Sequence, residues 1–234
     1  MNKHHRALLA ELQKHQRKRD HGQANDSYLS SGHHYYDVSV PERRRISKDW
    51  VKANGSISDG AFVAVLESLF HGKSHEEKTL ACILLADHKS GRGKIGPKLL
   101  NGWLDHLVGW AEIDSLCAGV YPADEVLADW KTWQAFIRKL ARDRNINKRR
   151  AALVFLTGPA RTSGDPRIAA LGLEVVERLK SEREIIITKA VSWLLRSLVQ
   201  HHKKDVVRYL ASNGSTLPAI AVRETERKIR TGKK

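Results

Sequence analysis

The sequence predicts an all-α chain built from helix pairs that repeat along its length. Three observations carry the prediction. Apolar residues recur at three- and four-residue steps, cap and breaker residues punctuate the runs, and similar helices begin at related intervals. At 234 residues the chain is long enough to bury a sizeable core, and it reads as one repeat domain over residues 1–234.

Residues 1–20 read as an N-terminal helix. Pro41 opens the next segment, with proline at a first-turn position and Glu42 near the positive helix end. Ser74-x-x-Glu77 and Ser181-x-x-Glu184 each have the spacing of a capping box ahead of an apolar-periodic run. Gly91 to Gly96 reads as a flexible basic loop. Ile168, Leu171, Val175 and Leu179 define a helix with one buried face. Ile185-Ile186-Ile187 tempts a strand assignment, but Val191, Leu194, Leu195 and Leu198 restore helical spacing. Residues 225–234 form a basic tail. About eleven helices and no obligatory sheet are expected.

The helices opening at Lys78, Arg150 and Lys189 align with one another, 72 and 39 residues apart, and half the first interval lands on Asp114. Repeats of this length belong to the HEAT-like class, whose stacking makes an α-solenoid superhelix with a concave face. Lys78, Asp114, Arg150 and Lys189 would then share one slot and form a row. Along the helix from Glu184, residues Lys189, Trp193, Arg196 and Gln200 make one polar stripe, and Trp103, Leu107, Trp110 and Asp114 make another.

Charge sharpens the functional reading. Forty-one Lys and Arg against 26 Asp and Glu leave a net +15, clustered in a way that favours nucleic acid and a basic concave face. Yet Leu99 to Trp130 contains no lysine or arginine and six carboxylates. A carboxylate kept near a polyanion suggests a target that is locally cationic. The longest apolar run, Leu80 to Ala86, is far too short for a membrane span, and no secretory h-region follows the N-terminus. Cys82 and Cys117 read as small core residues in a reducing cytoplasm. The histidine pairs lack metal-ligand spacing, so no metal and no cofactor is expected, and the histidines read as solvated or phosphate-contacting.

On these residues the chain resembles the AlkD family of DNA alkylation repair enzymes, HEAT-like-repeat glycosylases, from about Tyr28 to the C-terminal helix. Pro41-Glu42-Arg43-Arg44 is similar to the family's N-terminal signature. Trp110-Ala-Glu-Ile-Asp114 is similar to its Trp-x-x-x-Asp element, and Arg149-Arg150-Ala151-Ala152-Leu153 to its DNA-contacting helix. Lys189 to Arg196 resembles its most recognisable helix, and Leu217 to Glu224 its closing stretch. Asn145-Ile146-Asn147-Lys148 departs from the pattern, which expects an aromatic there.

The resemblance implies excision of positively charged alkylpurines such as 7-methylguanine and 3-methyladenine from duplex DNA in base excision repair. Asp114 would be the catalytic carboxylate, with Trp110 and Trp193 against the lesion's deoxyribose. Arg150, Lys189, Arg196, Arg149, Arg43, Arg44 and Tyr28 would hold the DNA backbone. A monomer acting in the bacterial-type cytoplasm at the nucleoid is expected. On generic grounds a helix-start charge or a partner to Arg150 is the commoner reading of Asp114, and the Trp110 spacing, the repeat phase and the resemblance overturn it. The alternative function is a non-catalytic HEAT-like protein that binds damaged or branched DNA.

Overall fold

The computed structural model describes residues 1–17 and 31–233, and Tyr28 lies outside them. Among these residues there are fourteen α-helices and one 3-10 turn, with no strand. The surplus over eleven comes from short pieces that carry too few residues to show a period, such as Lys89–Arg92 and Thr157–Thr162. The helices divide into two compact units, Met1–Leu116 and Cys117–Lys234.

In the first unit, α1 (Lys3–Lys14) packs on α2 (Val40–Ala53) and α3 (Asp59–Phe70), and both α2 and α3 pack on α4 (His75–Asp87). Ser39 caps α2 through the Glu42 N–H, with Pro41 in the first turn as expected. The Ser74–Glu77 capping box forms in full. Glu77 also accepts from His5 Nε2 at 2.7 Å, tying α1 to α4, and the fold leaves room for it because residue 72 is glycine. A Cβ at Gly72 would lie 2.6 Å from Glu77 Oε1. Helix α5 (Lys89–Arg92) corrects the expected flexible loop: Gly91 packs against Phe62 and His88, and buried Arg92 donates to the Ala86 carbonyl. Helix α6 (Pro97–Trp103) runs into the 3-10 turn Leu104–His106, and α7 (Gly109–Cys117) follows.

Glu77 makes the first unit acid-sensitive. Burial pushes its carboxyl up, but the hydrogen bonds from His5 and Ser74 outweigh burial and lower it from 4.5 to about 2. A depressed carboxylate contributes stability that is complete above its unfolded pKa and is lost as pH falls through the folded value. The contribution is at most about 3 kcal/mol. Thermal midpoints measured from pH 7 to pH 2.5 should therefore fall more steeply below pH 4.5 in the parent than in Glu77→Gln. Parallel curves would remove Glu77 from the acid response.

In the second unit, α8 (Ala123–Ala128) and α9 (Trp130–Leu140) precede α10 (Ile146–Val154), α11 (Thr157–Thr162), α12 (Pro166–Leu179), α13 (Ile185–Asn213) and α14 (Ala219–Thr231). Helix α13 is the hub and packs on α10, α11, α12 and α14. Trp133, Phe136 and Phe155 pack together with ring centroids 5.7 to 6.0 Å apart, with Tyr121 4.8 Å from Trp133. Gly158 and Gly119 let backbones meet, since a Cβ at Gly158 would lie 3.2 Å from Gly119 Cα. The Ser181 capping box does not form: α13 begins at Ile185, which makes Glu184 the N-cap residue rather than the third residue of the helix. The kink in α13 falls at His202, whose ring donates to the Ser163 carbonyl at 3.2 Å. The basic tail is helical as far as Thr231.

Helices α2, α4, α7, α10 and α13 begin at residues 40, 75, 109, 146 and 185, intervals of 34 to 39 residues. That is a helical repeat at the expected length. Cys82 and Cys117 are buried free thiols.

Candidate functional site

Trp110 and Asp114 stand one turn apart on α7, both half-buried, while Glu112, Ile113 and Leu116 face inward. Gly109 starts the helix at φ 77°, a conformation that side chains bearing a Cβ rarely adopt. The expected longer stripe through Trp103 and Leu107 does not form. The chain changes from α6 to a 3-10 turn and an extended Leu107 before α7, so Trp103 ends in the core at 1% exposure, stacked on Phe70.

Glu112 is the residue that sequence reasoning missed. Its Oε1 accepts from His33 Nδ1 at 2.9 Å and His75 Nδ1 at 3.1 Å, and Oε2 accepts from the Val108 N–H at 3.0 Å. Burial raises its carboxyl, but these hydrogen bonds hold it below the ordinary range, so it is ionised. The Trp-x-x-x-Asp spacing did place it on the inward face, which was the available signal. These partners also correct the reading of the histidines: His33, His75, His5 and His202 serve as internal hydrogen-bond donors or acceptors. Among the described residues no group of three His, Cys, Asp or Glu side chains is placed to hold a metal ion.

In the second unit, the polar stripe of α13 is as expected. Lys189 and Gln200 are exposed, Trp193 and Arg196 are half-buried, and Ala190, Val191, Leu194 and Leu198 face the core. Arg196 Nε donates to Ser192 Oγ at 3.2 Å and lies 3.3 Å from Glu224, which also accepts from Ser192. The closing stretch of the sequence is thus tied to α13 at the residues that flank Trp193. Arg149 forms a two-pronged pair with Glu182, at 2.7 and 3.0 Å.

Two cations expected at a phosphate are buried. Arg43 turns toward α4, where its guanidinium donates to Thr79 Oγ1, and it leaves Arg44 as the exposed member of the pair. Arg150 is 4% exposed and donates to the Ile186 carbonyl at the start of α13. Lys78, the fourth residue of α4, is likewise buried and donates at 2.8 Å to the Phe70 carbonyl that ends α3. The repeated slot is therefore not an exposed row of cations. Lys78 satisfies the carbonyl that ends α3, and Arg150 donates to a first-turn carbonyl of α13, which leaves Lys189 exposed.

The family model for DNA alkylation repair enzymes matches residues 8–229. The solved structure of a predicted DNA alkylation repair enzyme from Enterococcus faecalis is similar with a TM-score of 0.74 at 15% identity, covering 92% of this chain and 98% of that one. At that identity the likeness carries the fold. No curated protein matches the chain.

Proposed function

Because the chain belongs to the DNA alkylation repair enzyme family, we propose that it is a DNA glycosylase that releases cationic alkylpurines from duplex DNA. The observation that carries this reading is Asp114, held one turn from Trp110 on a helix whose opposite face is anchored in the core. Alkylation at N3 or N7 already gives the purine a positive charge, so the base leaves with the electrons of its bond to C1′ and becomes neutral without a proton donor. Positive charge develops on the deoxyribose instead. Asp114 stabilises that cation and orients the water that adds to C1′ and releases a proton. Trp110 and Trp193 contact the deoxyribose through their ring faces, worth about 0.5–2 kcal/mol each.

Lys189 and Arg44 are exposed and suited to phosphates. Arg149 and Arg196 would exchange Glu182 and Glu224 for phosphate oxygens, and Tyr28 is also proposed to contact the DNA backbone. Arg43 and Arg150 act from beneath, the first on α4 and the second on the first turn of α13. Release of 7-methylguanine and 3-methyladenine from methylated duplex, with an abasic product, tests the function. Tight binding without that product would make the chain a non-catalytic DNA binder.

Arg150→Met separates the two roles of a cation. Loss of the bond to Ile186 should lower stability by about 1.5–3 kcal/mol, while the salt dependence of DNA binding stays parental. A slope reduced by about one would instead put Arg150 on a phosphate.

A further inference from the structure

Glu112 takes no part in the reaction just described, yet it is a fully buried charge between the two residues of α7 that do. Helix α7 has nine residues, too few to hold its conformation in water unaided. It follows an extended Leu107 and begins at a glycine of positive φ. Beside the buried Ile113 and Leu116, the Glu112 carboxylate fixes it on the first unit's side, and the three donors come from three places. His33 belongs to the extended segment after residue 30, His75 is the first residue of α4, and Val108 precedes α7 itself. The segment carrying His33 is in turn fixed to α4, since His34 and Ser74 form a parallel bridge and the His34 carbonyl accepts from the His75 N–H at 2.9 Å.

We propose that Glu112 is a positioning residue for excision: through His33, His75 and the Val108 N–H it sets the rotation of α7, and with it the direction in which Trp110 and Asp114 project. The proposal rests on the excision reading. Its chemistry is specific to a carboxylate. Both imidazoles present Nδ1–H to one oxygen, and the other oxygen takes a backbone N–H, so all three contacts need an acceptor. A glutamine keeps the shape but carries only one acceptor oxygen. Its NH2 must then face either the Val108 N–H or the two imidazole donors.

The test is a double-mutant cycle read by single-turnover excision of 7-methylguanine. Glu112→Gln should slow excision between about tenfold and a hundredfold, with affinity for undamaged duplex kept within about twofold. In an Asp114→Asn background the same change should cost clearly less, because Glu112 acts in large part through Asp114 and only its effect on Trp110 remains. His33→Gln, at the half-exposed edge of the cluster, should give a smaller loss of the same kind and guards against a failure of Glu112→Gln to fold. A parental rate in Glu112→Gln overturns the proposal, and so does the same loss repeated in the Asp114→Asn background. If the wild-type protein makes no abasic product, the excision reading falls separately. The positioning claim is then read from amide exchange, where faster exchange confined to Gly109–Cys117 supports it and unchanged protection overturns it.

Discussion

Asp114→Asn is expected to slow release of 7-methylguanine about a thousandfold under single-turnover conditions while DNA affinity holds or rises. The substitution is nearly isosteric and removes one unit of charge. Two unit charges ~4 Å apart attract by about 4 kcal/mol at an effective dielectric of about 20. If that attraction is realised only as the sugar becomes cationic, its loss is roughly three decades of rate. In the ground state the same carboxylate repels nearby phosphates, so its removal should not weaken binding. Misfolding is a poor explanation for such a result, because α7 is anchored through Glu112 on its inward face and Asp114 is half-exposed. The measurement is the excision rate beside a titration of undamaged duplex. Asp114 is the sixth residue of α7 and no helix-start charge, so a parental rate would leave it as an ion-pair partner.

The fold was legible wherever a pattern was long enough to have a period. Ile168 to Leu179 and the stripe of α13 face as their spacing says, and Ser39, Pro41 and the Ser74–Glu77 box start their helices where cap chemistry requires. Shorter signals misled. Ser181-x-x-Glu184 has the letters of a capping box without the helix start, because a cap motif is local and the start of α13 is set by packing against four other helices. Of the candidate site, the face shared by Trp110 and Asp114 followed from helix geometry alone. The fate of the cations did not. Arg43, Lys78 and Arg150 look like any surface base in sequence, and only tertiary structure supplies the Thr79 hydroxyl and the carbonyls of Phe70 and Ile186 that take them inward. A buried cation satisfied by a hydroxyl or backbone carbonyl of another element leaves no periodic trace.

Trp103 and Trp193 show the same distinction in a form that can be measured. Both stand on a stripe in the sequence, and each has a basic or aromatic neighbour at helical spacing. Trp103→Ala should destabilise the first unit by about 3–5 kcal/mol, since it removes a fully buried indole stacked 4.7 Å from Phe70 and strips Glu67 of its Nε1 donor. Trp193→Ala should cost under about 1 kcal/mol, because a half-buried ring on the polar side of α13 leaves no closed cavity. Its effect falls on recognition: preference for abasic-like or alkylated duplex over normal duplex should be lost, with affinity for normal duplex little changed. Denaturant unfolding and paired titrations on the two duplexes measure both. A Trp193→Ala protein that loses stability as Trp103→Ala does, or that weakens on both duplexes equally, would return Trp193 to the core and take the second aromatic wall out of the proposed mechanism.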